Sequence, residues 1–529
     1  GHGMVGHRLV ETLRAQDTAG AWRITVLAEE NRPAYDRVRL SAWFDGEDLD
    51  LSPVDGVEVL LGEPAVSLDP QARTVTTPRR TLAYDALVLA TGSYPFVPPV
   101  PGRDLTGCFV YRTIDDLESL AAYARGRRRG LVVGGGLLGL EAANALRRLD
   151  LDTCVVEIAP RLMPLQVDEA GGAMLRRHIE NLGLTVHTGR VLARIMGRDG
   201  AVRRVVFSDG GVLDTDVVVF AAGVRPRDEL ARAAGLAVGA RGGVVVDLAG
   251  RTSAPDVYAV GECAQIDGRV YGLVAPGYAM AEVVADRLLG GSAEFPGADT
   301  STKLKLLGVD VASFGTTEGP LDVTVTDPST GVYAKLVLSD DAKTLLGGIL
   351  VGDAHAYGTL RACVGAPLPA PPLALLAPDG PPAAGGDLPD TALVCSCNAV
   401  TKGTIVTAIR EQGCTDVAAV KAGTRAGTTC GSCVPLLKQL LASCGVPASK
   451  ALCEHFDYSR QELFDIMRVR GITTFSQLVA EYGRGRGCDI CKPVVASILA
   501  SMTSGYILDG EQAALQDTND HFLANLQRN

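Results

Sequence analysis

The run Gly134-Gly135-Gly136-Leu137-Leu138-Gly139 constrains this chain more than any other segment, because of what stands on either side of it. An apolar, strand-like stretch, Gly130–Val133, leads in, and a helix-like stretch, Leu140–Leu149, leads out. The next apolar run, Thr153–Val156, ends in an acid, Glu157, 18 residues after Gly139. Strand, glycine turn, helix, strand and acid in that order make a dinucleotide fingerprint. Gly134 permits the tight turn, Gly136 lets a pyrophosphate approach the backbone, and Gly139 lets the helix pack on the strand. The helix N-terminus then faces the phosphate charge. Glu157 would accept hydrogen bonds from a ribose diol and repel a 2′-phosphate, which favours NADH. Arg161 nearby keeps NADPH open.

A second glycine turn, Gly1-His2-Gly3-Met4-Val5-Gly6, has its acid at Glu29, 23 residues after Gly6. No strand precedes it, so we expect an N-terminally shortened sequence in which the first strand of that sheet is missing. Short Val/Ile/Leu runs alternate with amphipathic stretches over the first three hundred residues, the pattern of α/β domains with buried parallel strands. Strand candidates are Arg23–Ala28, Ala86–Ala90, Gly130–Val133, Thr153–Glu157, Val217–Ala221 and Val257–Val260. From Thr302 to Ala366 the texture changes, and Lys303–Leu307, Val332–Leu338 and Leu345–Val351 read as antiparallel strands. Pro367–Pro389, dense in Pro, Ala and Gly, reads as an interdomain linker that would let the cysteine-rich C-terminal region move.

Composition closes several functions off. The 50 basic and 61 acidic residues give a net charge of −11, and no basic cluster outlasts Arg127-Arg128-Arg129, which argues against a nucleic-acid or anionic-membrane surface. The longest uncharged runs, such as Ala86–Gly102, fall short of the ~20 apolar residues a membrane helix needs. Thirteen cysteines without a secretion signal do not read as a disulfide framework. Nine of them crowd between Cys395 and Cys491, which points to metal in a reduced, cytoplasmic compartment.

Cys395-x-Cys397, then 32 residues, then Cys430-x-x-Cys433 sets four thiolates on two short loops. Such a set serves either a [2Fe–2S] cluster or a structural zinc. A shift of 58 residues, without a gap, lays Cys395, Cys397, Cys430 and Cys433 on Cys453, His455, Cys488 and Cys491. The module is therefore a tandem duplication. The favoured reading of its second copy is a degenerate repeat kept for packing; the alternative is a second metal site with one imidazole ligand. Cys108, Cys154, Cys263, Cys363, Cys414 and Cys444 read as small buried apolar residues.

The first cysteine set resembles the bacterioferritin-associated-ferredoxin type of [2Fe–2S] domain. Tyr84–Gly92 (YDALVLATG) and Val257–Ala264 (VYAVGECA) resemble segments of two-dinucleotide flavoproteins. There the first, here with Thr91 and Gly92, lets the chain cross between domains beside FAD. The second, here with Gly261, sets its acid, Glu262, near the ribityl hydroxyls. Glu29-x7-Arg37 with Ser41 looks like the FAD-contacting stretch of ferredoxin-reductase-like and apoptosis-inducing-factor-like flavoproteins, although Ala42 stands where relatives often carry Lys. Glu141 matches a glutamate that lies close to the nicotinamide in such enzymes, against the plain reading of a solvated helix residue. Ser41-Ala42-Trp43-Phe44-Asp45 carries no thiol where the disulfide-reducing and NADH-oxidase branches need one.

The whole order of parts resembles the large subunits of assimilatory NAD(P)H nitrite reductases. Ala34–Ser41, Val133–Ala142, Val394–Val400, Cys453–Leu463 and Gly487–Pro493 carry the likeness, and Leu515–Gln527 is similar to that family's connector. The resemblance implies an FAD-binding domain over residues 1–112 and 238–298 with an NAD(P)H-binding domain, 113–237, inserted. Behind them come a small α+β domain (299–366), a linker (367–391), a [2Fe–2S] domain (392–446), a degenerate second copy (449–506) and a connector tail (507–529). Sirohaem and a [4Fe–4S] cluster are expected only in a further half, since no Cys lies beyond Cys491. The expected function is electron input, from NADH through FAD to the [2Fe–2S] cluster and on to an acceptor. That acceptor would be the sirohaem half, with the small nitrite reductase subunit and a homodimer as further partners. The rivals are a stand-alone NADH-dependent reductase of a ferredoxin, rubredoxin or nitrate reductase, and a nucleotide-binding protein whose cysteine module holds zinc and docks partners.

Overall fold

The computed structural model describes all residues except 307, 369, 377–387, 429–430, 447–451, 454, 486, 488–489 and 503–529. The chain divides into two compact units, one comprising Gly1–Thr404 and Ala426–Leu436, the other residues 405–425 and those from 437 onward.

In the first unit the helix Met4–Gln16 starts directly after Gly3 and buries Met4, Leu9, Val10 and Leu13. It packs on the helix Val274–Leu288, whose apolar face (Met280, Ala281, Val284, Ala285) belongs to the same core. Two parallel strand pairs accompany them: Ile24–Leu27 with Val57–Leu60, and Leu87–Leu89 with Val257–Ala259. The inserted portion is a five-stranded parallel sheet. Its strands run Thr185–Thr188, Asp152–Glu157, Arg129–Val133, Val217–Phe220 and Cys108–Val110 across the sheet. Leu131, Val132, Val155, Val217, Val218 and Val219 are fully enclosed, as expected of parallel strands covered on both faces. A capping box on Thr113 and Asp116 starts the helix Ile114–Ala124, satisfying backbone donors the first turn leaves over.

All six strands expected in this region form, with ends within two residues of the sequence reading. The reading missed the antiparallel sheet Leu192–Arg198, Ala201–Phe207 and Val212–Asp214. Its strands carry Arg and Asp on the solvent side, which masks the alternation. The segment after Thr302 is an antiparallel sheet of five strands, in the order Thr302–Leu306, Val309–Gly315, Leu345–Gly352, Val332–Leu338, Leu321–Asp327.

The expected linker is less loose than its composition suggests. Thr344 bridges Pro367, Pro372–Leu376 is helical with Leu375 buried, and Leu388 is buried as well. Residues 377–387 of it lie outside the described residues.

The duplication is visible in the helices. The first copy forms Lys402–Glu411, Val417–Thr424 and Val434–Ser443; the second forms Arg460–Arg470, Phe475–Tyr482 and Cys491–Met502. Their starts keep the sequence offset to within one residue. Even the caps correspond: Asp416 accepts from Ala419 N–H, and Thr474 accepts from Gln477 N–H.

Candidate functional site

A cleft of about 1830 Å³ opens in the first unit. Gly1, Gly3, Gly6, Glu29, Arg37, Thr91, Gly92, Gly261 and Glu262 all line it, and Glu141 reaches it from the inserted sheet's helix Leu137–Arg148. Ser396, Cys397 and Ser432 line the same cleft. Its floor continues between the two parallel strand pairs, past Leu9, Leu13, Ile24, Val26, Leu87 and Leu89. Ser41 stands apart, in the short 3₁₀ helix Leu40–Asp45 and outside the lining.

The glycines divide their work as the chemistry of a nucleotide turn requires. A methyl on Gly1 would lie 2.9 Å from the Ala90 carbonyl carbon, and one on Gly6 3.3 Å from that of Gly1. A methyl on Gly3 would meet nothing within 4 Å. The second turn repeats this: Gly134 and Gly139 are hemmed in by the backbone of Ala221 and of Gly134, whereas Gly136 faces open space. In each turn the middle glycine thus leaves room for a ligand at a helix N-terminus, a fit for a pyrophosphate.

The acids are held in place by specific donors. Glu157 is buried, with Oε2 accepting from Gly135 N–H at 2.6 Å and Oε1 from Ala159 N–H at 2.8 Å. Glu262 Oε2 accepts from Ser93 Oγ at 2.7 Å and pairs with Arg112, which also donates to Ser93 Oγ at 2.9 Å. Arg112 Nε is buried with no partner, so one guanidinium donor remains beside the cleft for a ligand. Glu29 pairs with Arg227, and Arg37 with Glu30. Glu141 is half-buried where it lines the cleft, and burial pushes its carboxyl up to about 7.

Sequence reasoning missed Arg112 and Arg227. Their acids stand 150 and 198 residues away, so no local pattern announces them. Arg8 and Arg361 were missed for the same reason. Arg8 Nη2 donates to Asn398 Oδ1 at 2.8 Å. Arg361 Nη2 donates to the carbonyls of Leu393 (3.0 Å) and Val394 (2.5 Å) while Nη1 reaches Asp299 at 3.0 Å. Both arginines fasten the loop that carries Cys395 and Cys397.

On that loop Cys395 is buried and is held below the usual thiol range, first by a hydrogen bond with Cys433 and then by the N–H groups of Gly427 and Asn398. Asn398 Nδ2 also points at Cys395 Sγ, 3.7 Å away. Thiolate character and N–H donors aimed at sulfur suit a metal–sulfur centre. Cys430 lies outside the described residues. In the second unit Cys453, His455 and Cys491 come together, their ligand atoms all within 4.8 Å of one another; Cys488 lies outside the described residues. Of the cysteines read as buried and apolar, Cys154, Cys263, Cys363 and Cys414 are buried, whereas Cys108 and Cys444 are half-buried; burial pushes the thiols of Cys108 and Cys363 up to about 11, and that of Cys154 up to about 12.

Comparison with known proteins fits this geometry. A family model described as pyridine nucleotide-disulphide oxidoreductase matches residues 1–281. The chain belongs to that family. A rubredoxin NAD+ reductase C-terminal domain model matches residues 301–366, and a BFD-like [2Fe-2S] binding domain model matches 393–443. The nitrite reductase (NADH) large subunit of Escherichia coli (strain K12) is 49% identical over all of this chain, which spans 65% of that relative's length. The assimilatory nitrate reductase electron transfer subunit of Bacillus subtilis (strain 168) is 33% identical over 96% of the chain and 68% of its own length. Among solved structures, the ferredoxin reductase for the CYP199A2 system from Rhodopseudomonas palustris superposes with a TM-score of 0.61 at 28% identity, covering 66% of this chain and 89% of that one. This oxidoreductase therefore takes FAD, NAD(P)H and a [2Fe–2S] cluster. Unlike the disulphide-reducing members that give the family its name, it has no cysteine before Cys108. Among the described residues no helix is long and apolar enough to cross a membrane.

Proposed function

We propose that the chain is the electron-input portion of a cytoplasmic NAD(P)H nitrite reductase, taking a hydride from NADH and delivering single electrons towards a sirohaem-bearing acceptor that turns nitrite into ammonium. The observation that carries the reading is the shared cleft: the first glycine turn, Thr91–Gly92, Glu262 and Glu141 line the same space as Cys397. FAD supplies the change from a two-electron donor to one-electron delivery, and the iron–sulfur cluster the one-electron relay.

The chain's own residues bind, orient and exclude water. In this reading Gly1, Gly3 and Gly6 admit the FAD pyrophosphate, Arg37, Thr91, Gly92, Gly261 and Glu262 hold the rest of it, and Glu29 meets the adenosine ribose. Gly134, Gly136 and Gly139 admit the NADH pyrophosphate, with Glu157 beside the ribose. Glu141 holds a proton near neutral pH on the side where the nicotinamide enters. Cys395, Cys397, Cys430 and Cys433 ligate the cluster, and Arg8 and Arg361 fix the loop of the first two. Since Cys397 already lines the cleft, electrons need no excursion of the cysteine loop to leave it. A small acceptor subunit and a homodimeric assembly belong to the same proposal, and mass measurement of the complex tests both.

The test is an anaerobic visible spectrum before and after NADH. Bleaching of flavin bands together with the broad iron–sulfur absorption is expected; flavin bleaching with no iron–sulfur signal would overturn the relay. A second reading, supply of electrons to a separate nitrate reductase, is favoured by the likeness to the Bacillus subtilis electron transfer subunit. Comparing electron delivery to purified nitrite- and nitrate-reducing partners separates the two.

A further inference from the structure

The sequence favours a second cysteine copy kept only for packing, and that copy does pack: Phe456, Leu463, Met467, Leu478 and Cys491 are enclosed in one core. Packing does not account for three further observations. Cys453 and His455, on a tight loop where Cys453 bridges Phe456, converge with Cys491, the first residue of the helix Cys491–Met502. Cys453 Sγ lies 3.7 Å from His455 Nδ1 and accepts His455 N–H at 3.4 Å. On the neighbouring segment, Gly485 and Gly487 lie beside them. A methyl on Gly485 would sit 3.1 Å from His455 Cδ2, while one on Gly487 would first meet the Phe475 ring at 2.5 Å, with Cys491 Sγ 3.4 Å away. Arg484 N–H bonds to the His455 carbonyl at 3.0 Å and fixes that segment.

The spacing is compatible with a single metal ion. Bonds of about 2.3 Å to sulfur and about 2.0 Å to imidazole nitrogen, at the tetrahedral angle, put S···N edges at about 3.6 Å and S···S edges at about 3.8 Å. The 3.7 Å separation of Cys453 Sγ and His455 Nδ1 matches that edge, and every pair in the set falls within 4.8 Å. Mixed thiolate and imidazole donors select a borderline-soft divalent ion.

We propose that Cys453, His455 and Cys491 bind a single zinc ion, so that the duplicated module has kept one cluster-type copy and turned the other into a mononuclear site with three protein donors among the described residues. The ion cross-links the His455 loop to the start of the Cys491 helix.

Metal analysis of the whole chain, purified anaerobically, tests this. One zinc per chain is expected beside the iron of the cluster. Cys453→Ser and His455→Ala should each remove the zinc and leave iron content and the visible cluster spectrum unchanged, whereas His455→Cys should keep it. Should these variants fail to fold, protein produced with cobalt in place of zinc answers without substitution, because tetrahedral Co²⁺ bound to thiolate shows intense visible ligand-field bands. Absence of zinc together with absence of such bands overturns the proposal. So does a second pair of irons that Cys453→Ser removes, which would make this copy another cluster.

Discussion

Gly136 and Gly139 belong to one motif, yet the structure assigns them opposite sensitivities, and this separates nucleotide binding from folding. Gly139 lies inside the helix Leu137–Arg148, where Ala is intrinsically better than Gly by about 1 kcal/mol. Its methyl would stand 2.8 Å from the Gly134 carbonyl carbon, nearer still to that oxygen, and 3.6 Å from Ala221 Cβ. Neither backbone can yield without parting helix from strand, an overpacking cost of about 3 kcal/mol. The net loss for Gly139→Ala is about 2 kcal/mol, which in a domain of this size lowers Tm by roughly 4–8 °C. Gly136, with extended φ of −81° and ψ of −173°, accommodates Ala without strain, and its methyl meets nothing within 4 Å. Gly136→Ala should therefore hold Tm within about 2 °C, a poorer helix cap offsetting a less disordered unfolded chain. In the proposed reading its methyl occupies the space of the pyrophosphate, and losing one or two charge-assisted hydrogen bonds of about 1.5–3 kcal/mol should raise the KM for NADH by roughly 10–100-fold. Thermal melts and NADH titration of flavin bleaching read the two effects apart. A Gly136→Ala variant that binds NADH like the parent, or melts as low as Gly139→Ala, would refute the division of labour.

Other consequences are as direct. Because burial raises the Glu141 carboxyl to about 7, the folded chain keeps a proton that the unfolded chain loses above its ordinary value of 4.5; stability is therefore lost as pH rises from 4.5 through 7 and then levels off, by about 3 kcal/mol. Glu141→Gln should flatten that fall, and melts of both proteins at pH 5 and pH 8 check it. Cys397→Ser should abolish the iron–sulfur absorption while NADH still bleaches the flavin; a retained cluster spectrum would remove Cys397 from the ligand set. Arg112→Ala leaves Glu262 partly buried without its cation, so FAD retention, read as flavin-to-protein ratio, should fall, at a stability cost of about 1–3 kcal/mol. Arg361→Ala frees the Leu393 and Val394 carbonyls, and cluster yield should drop with flavin content unchanged.

What the sequence made legible was whatever is written within some thirty consecutive residues. The Gly134–Glu157 unit could be read because the turn, the helix and the acid are each forced by local sterics and charge, and the structure has Gly135 N–H bound to Glu157. The parallel strands were legible because burial on both faces leaves an unbroken apolar run, as in Val217–Phe220. The strand Leu321–Asp327 was not, since it is an edge strand mostly open to solvent, and its Asp and Thr side chains dilute the signal. Charge partners were illegible for a stronger reason. Arg112 finds Glu262, and Arg8 finds Asn398, only after separate strands and helices have been brought together. An isolated arginine in sequence is a solvated cation by default.

The cysteine module shows how far a spacing argument reaches. Duplication by 58 residues places Cys453, His455 and Cys491 in register with Cys395, Cys397 and Cys433, but register conveys order along the chain and not distance. Replacing one thiolate by imidazole leaves the helices in place, as the matching starts at Lys402 and Arg460, and at Val417 and Phe475, attest. A nearly unchanged scaffold can therefore present a different donor set. Cys397 of the first copy lines the cleft of the first glycine turn, whereas the second copy packs into a core of Phe456, Leu463 and Leu499. Electron transfer constrains the first copy to keep its redox chemistry. The second needs only a metal that holds its loop to its helix, and a redox-inert ion does that without competing for electrons.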